Sequence, residues 1–127
     1  MPVRGLRGAT TAEANTREAI LAATRELLET LCRENDLDPA DVASVYFTVT
    51  ADLDAAFPAA AARAIGWTDV ALLDAQAPRV HNDVARCIRV LIHWNTDKPP
   101  SALQHVYLRG ARHLRPDWVR RLTEEER

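Results

Sequence analysis

Residues 86–94 read Arg86-Cys87-Ile88-Arg89-Val90-Leu91-Ile92-His93-Trp94. Six of the nine are apolar and β-branched residues are frequent, so the stretch predicts a β-strand running from Cys87 to Asn95. Side chains alternate along a strand. Arg89 therefore shares a face with Cys87 and Leu91, while Ile88, Val90 and Ile92 point the other way. A guanidinium taken out of water is costly unless an anion meets it. The strand thus predicts a sheet with one face buried in a core and a second face that holds a cation for an anion supplied by the protein or by a ligand.

The neighbouring segments fit such a sheet. Val3 to Thr10 predicts a first strand that contains Gly5 and Gly8, where another backbone or a ligand can come close. From Asn15 to about Asn35 the pattern predicts a long amphipathic helix, with Asn15 as its cap and Glu18 completing a capping box. Its apolar stripe is Ile20, Ala23, Leu27 and Leu31. Asp38 to Asp41 predicts a helical turn, and Ser44 to Thr50 alternates cleanly as a strand. Phe57 to Gly66 predicts a short helix with Pro58 in its first turn and Gly66 as its stop. Val70 to Leu73 predicts a short strand, Ala75 to Val84 an irregular loop, and Val106 to Leu114 a last strand. The expected class is α+β: a mixed sheet of about five strands packed on one long helix. One helix cannot cover both faces of such a sheet, so the other face is expected to meet a further copy of the chain. Residues 1–117 are expected to form a single domain and 118–127 a charged tail.

The composition narrows the function. The chain has 127 residues, enough for one core without staples. A net charge of −2 gives no general attraction to nucleic acid or an anionic membrane, and neither is expected as a partner. Cys32 and Cys87 make no zinc spacing, and His81, His93, His105 and His113 make no metal-ligand pattern. Neither a GxSxG elbow, a P-loop nor a Rossmann glycine fingerprint is present. The start, MPVRGLRG, lacks the apolar run of a signal peptide, and a cytoplasmic protein is expected. What remains is a site of fixed positive charge, hydrogen-bond donors and apolar walls, suited to a small anion or to a reaction needing only charge stabilisation and restraint. Arg89, Arg7, Tyr107 and the turn Leu114-Arg115-Pro116-Asp117 stand out as its candidates.

The segments VRGLRGAT, SVYFTVTADLDAAFPAAAAR, CIRV and HVYLRGARHLRPD together resemble the monofunctional chorismate mutases of the AroH class, from Arg4 to Asp117. That resemblance implies a homotrimeric pseudo-α/β barrel with active sites between adjacent subunits. It also implies the Claisen rearrangement of chorismate to prephenate, toward phenylalanine and tyrosine, with no cofactor and no metal. Arg89 would face the breaking ether bond, Arg7 would hold a carboxylate, and Tyr107 would add a hydrogen bond. Arg63 and Arg115 would engage the second carboxylate, with Phe57, Leu73 and Leu114 as apolar wall.

Two positions depart from the family. Ala77 stands where a glutamate usually contacts the substrate hydroxyl, and Ala60 stands where a lysine usually lies. Asp74 is expected to take over the carboxylate role, pairing with Arg89 in the empty site. A non-catalytic trimeric module that binds a small anionic metabolite is the alternative, since a fold does not fix a function.

Overall fold

The computed structural model describes residues 1–114. Arg115, Asp117 and the expected tail at 118–127 lie outside the described residues. The strands are β1 (Val3–Thr11), β2 (Val42–Val49), β3 (Ala71–Gln76), β4 (Cys87–Asn95) and β5 (Val106–Tyr107), and the helices are α1 (Arg17–Asn35) and α2 (Ala59–Ala64). They form one mixed sheet in the order β3-β2-β4-β1-β5. The apolar strand β4 lies at its centre and runs antiparallel to both β1 and β2, while the β2/β3 and β1/β5 pairs are parallel.

The alternation read from β4 decides the two faces. Val90 and Ile92 enter a core with Leu6, Val45, Phe47 and the α1 residues Leu27, Leu28 and Leu31. Ala59 and Ala62 of α2 and Trp67 join the same core, so both helices cover the same face. Gly8 is what lets α1 settle so closely. A Cβ there would stand 2.9 Å from Leu31 Cδ1 and 3.1 Å from both Leu27 Cδ1 and Val90 Cγ1. On the opposite face no helix among the described residues lies over Arg89, Leu91 and His93. Leu73 and Tyr46 stand there 56% and 43% exposed, which is the uncovered apolar face expected from the helix count.

Three expectations need correction. The α1 cap is Thr16, whose Oγ1 accepts from Ala19 N–H at 3.1 Å. Asn15 instead ties the helix start to a distant loop, accepting at Oδ1 from the Asp54 and Ala55 N–H groups. The strand after Val70 reaches Gln76, because its pairing with β2 supplies the order that its own sequence lacks. The last strand stops at Tyr107. Arg109 has φ 51°, outside the strand region, and a 3-10 turn follows over Arg109–His113. The Arg109 guanidinium lies between Glu13 and Glu26, at 3.0 and 3.1 Å, and Gly110 N–H donates to Thr11 Oγ1 at 3.1 Å. No helix among the described residues is long and apolar enough to cross a membrane.

Replacing Gly8 by valine should push three packed side chains aside and destabilise the fold by about 1–3 kcal/mol. Chemical denaturation at fixed protein concentration measures this. An unchanged midpoint would contradict the close helix–sheet contact.

Candidate active site

The register assembles a row of side chains across the uncovered face. Thr48 of β2 opposes Arg89, Arg89 opposes Ala9 of β1, and Ala9 opposes Tyr107 of β5. Only a methyl group stands between the guanidinium and the phenol, whose backbones are two strand spacings apart, about 10 Å. Arg7 lies two residues before Ala9 on the same face, opposite Leu91. Its backbone N–H donates to His105 Nδ1 at 3.0 Å, which binds β1 to the approach of β5 and leaves the His105 ring proton on Nε2. No hydrogen bond or ion pair holds the Arg7 guanidinium among the described residues. Tyr107 is 4% exposed and packs with Ala9, Cys87 and Ala111, with Val84 and Leu114 against the cluster. Burial raises the Cys87 thiol despite the nearby arginine charges, so it is an inert packing group rather than a nucleophile.

Arg89 is not left alone. Its Nη2 lies 2.8 Å from Asp83 Oδ1, and both side chains are about one-fifth exposed, 21% and 22%. The Asp83 Oδ1 also accepts from Val84 N–H at 2.8 Å. The hydrogen bond from Arg89, then that from Val84, holds the Asp83 carboxyl below the usual aspartate range.

A second constellation lies elsewhere. A cavity of about 560 Å³ is lined by Arg17, Arg63, Phe57, Ala60, Asp74 and other residues, but not by Arg89, Arg7 or Tyr107. Asp74 pairs in register with Phe47, a core residue, so its side chain points to the helix side of the sheet. There its Oδ1 accepts from Ala59 N–H at 3.0 Å, at the start of α2. Burial raises the Asp74 carboxyl, opposed by that N–H and by the Arg63 charge. The expected Asp74–Arg89 pair is therefore absent within this chain, and Asp83 stands in its place. Ala77 has only a buried methyl, and its N–H is bound to Val49 O at 2.8 Å. Phe57 is 69% exposed at the cavity, and Leu73 faces out from the uncovered side of β3.

Sequence reasoning missed Asp83 and Arg17. Asp83 sits in a segment without periodicity, and only the fold brings it back over a residue six positions on. Arg17 did leave a signal. It is the first residue of α1, where the positive end of the helix dipole disfavours a cation. The two constellations together offer four guanidinium groups, a phenol and apolar walls to an anion, with no nucleophile in either.

Comparison with known proteins accords with this geometry. The family profile described as chorismate mutase type I matches residues 3–118. The chain is 53% identical over 116 residues to chorismate mutase AroH of Thermus thermophilus, covering 91% of this chain and 95% of the relative. It is 43% identical over 118 residues to chorismate mutase AroH of Bacillus subtilis, covering 92% and 93%. A chorismate mutase structure from Clostridium thermocellum superposes with a TM-score of 0.86 at 48% identity, covering 87% of this chain and 99% of that one.

The two carboxylates should titrate in opposite senses from an ordinary aspartate near ~3.9. Asp83 should lose its proton at lower pH and Asp74 at higher pH, as followed by carboxyl-carbon NMR. Because the folded Asp83 value is depressed, the stability it contributes is present above the ordinary value and is lost as pH falls through the depressed one. Arg89→Ala should return Asp83 upward. An Asp83 midpoint indifferent to Arg89 would contradict the pair.

Proposed function

The chain belongs to the chorismate mutase type I family and is a chorismate mutase, and we propose that it converts chorismate to prephenate in clefts shared by adjacent subunits of a homotrimer. The rearrangement breaks one C–O bond and forms one C–C bond within a single molecule. It needs the compact conformer of a dicarboxylate held in place, and positive charge where the ether oxygen becomes negative. A guanidinium suits that task because it stays protonated and presents a rigid fork of donors.

The observation that carries this reading is Arg89, a cation fixed in a central strand on the uncovered face of the sheet. Asp83 takes one of its five N–H donors, which leaves the others for substrate. Arg89 would meet the ether oxygen, Arg7 a carboxylate, and Tyr107 the same anionic end. Phe57, Leu73, Arg63 and Asp74 would come from the adjacent subunit, with Leu114 as wall and Arg115, with Arg63, engaging the second carboxylate. Support for the shared cleft comes from the exposed apolar face, and from a cavity that holds Arg63 apart from Arg89 in one chain. Arg17 lines that cavity with Ala60, and it would supply the cation that the family places at the alanine's position.

Mixing subunits tests the shared cleft. Arg89→Ala and Arg63→Ala should each be nearly inactive alone. Co-expressed, they should recover activity, because random assortment in a closed ring gives on the order of a quarter of the clefts both arginines. No recovery from mixed trimers would overturn the arrangement. Arg17→Ala should raise KM by roughly 3–10-fold with kcat little changed, as loss of uniform binding does. Steady-state kinetics decide it, and an unchanged KM would remove Arg17 from the site.

A further inference from the structure

We infer that Asp83 holds Arg89 in its working orientation and accepts the ring hydroxyl of chorismate through its second carboxylate oxygen. This rests on the chorismate mutase reading and assigns that site a residue for the substrate's one neutral hydrogen-bond donor.

The atoms on both sides of the pair fit the role. Asp83 Oδ1 receives two donors, Arg89 Nη2 at 2.8 Å and Val84 N–H at 2.8 Å. Oδ2 makes no hydrogen bond with another described residue, and Asp83 borders an open depression beside Val80 and Arg79. The carboxylate is therefore fixed through one oxygen and available through the other. Its anchorage is local: Asp83 N–H donates to Val80 O at 3.2 Å, and Asn82 turns the chain with φ 64°. Val84 then packs into the cluster around Tyr107. Asp83 is thus held to the same cluster that buries Tyr107.

The chemistry of the substrate selects the contact. Chorismate is a dianion, and its carboxylates are repelled by Asp83 and attracted by Arg7 and the free donors of Arg89. Its ring hydroxyl is a donor, and a carboxylate is the stronger kind of acceptor for it. One fixed anion beside one fixed cation therefore sets which end of the substrate lies where. Neither Ala77 nor Asp74 offers this within the chain. The first has no polar side-chain atom, and the second faces the helix side with Oδ1 on Ala59 N–H.

The test compares wild type, Asp83→Ala and Asp83→Asn on chorismate and on an analogue lacking the ring hydroxyl, with thermal midpoints as a check of folding. Losing a hydrogen bond to a charged group costs roughly 10–100-fold, and Asp83→Ala should lower kcat/KM for chorismate by about that factor. Asp83→Asn, which keeps an acceptor oxygen, should lose less. Deleting the hydroxyl should cost the wild type about tenfold or more and Asp83→Ala less than about twofold, a coupling that a purely structural role would not produce. Equal costs of hydroxyl deletion in wild type and Asp83→Ala would overturn the inference, as would an Asp83→Ala enzyme within about twofold of wild type on chorismate. Those outcomes leave the mutase reading intact. Absence of chorismate turnover by the wild type would end that reading and this inference with it.

Discussion

The structure turns on a permanent charge placed in the middle of its central strand. Burying a guanidinium costs several kcal/mol unless partners satisfy it. The fold meets that demand by leaving one face of the sheet without a helix among the described residues and bringing the loop after β3 back so that Asp83 reaches Arg89 at 2.8 Å. Both helices are consequently on the other face, where Ile88, Val90, Ile92 and Trp94 of the same strand are buried. One nine-residue segment thus supplies both the central strand of the core and Arg89 on the opposite face.

This division explains why the chemistry can be simple. The reaction needs no group that changes its protonation state, so fixed charges and fixed walls are sufficient. Rigidity then becomes the main requirement, and Arg89, Arg7 and Tyr107 sit on strands rather than on long loops. Arg89 and Tyr107 are separated by one strand that contributes only Ala9 between them. Asp83 joins them from a loop, and its neighbour Val84 is packed against the Tyr107 cluster. The second set of cations, Arg63 and Arg17, lines a cavity that does not include Arg89, as the proposed cleft between subunits requires.

Much of this was legible in the chain. The alternation in β4 assigned each of its residues to the correct face, and the α1 stripe identified Ile20, Ala23, Leu27 and Leu31, all of them buried. The features that were not legible share a cause. Asp74 was assigned to Arg89 from its place in sequence, but strand parity puts it on the opposite face, and parity depends on a register that β3 takes from β2. Asp83 became visible only once the loop path was known. The end of β5 depends on a left-handed Arg109 held by Glu13 and Glu26, an acidic pair nearly a hundred residues away at one end. Thr16 displaced Asn15 as the cap because Asn15 is used by the loop at Asp54 and Ala55. In each case a tertiary partner, absent from the local sequence, determined the outcome.

The most direct test of the account is the kcat of Arg89→Met on chorismate, measured on protein shown to keep its thermal midpoint and its assembly state. Methionine keeps much of the length and packing of the side chain and removes the charge. If the guanidinium stabilises the breaking ether bond, kcat should fall by at least roughly 10²–10³. A kcat within a few-fold of wild type would mean that Arg89 only fastens the loop through Asp83, and that the charge for the transition state comes from elsewhere.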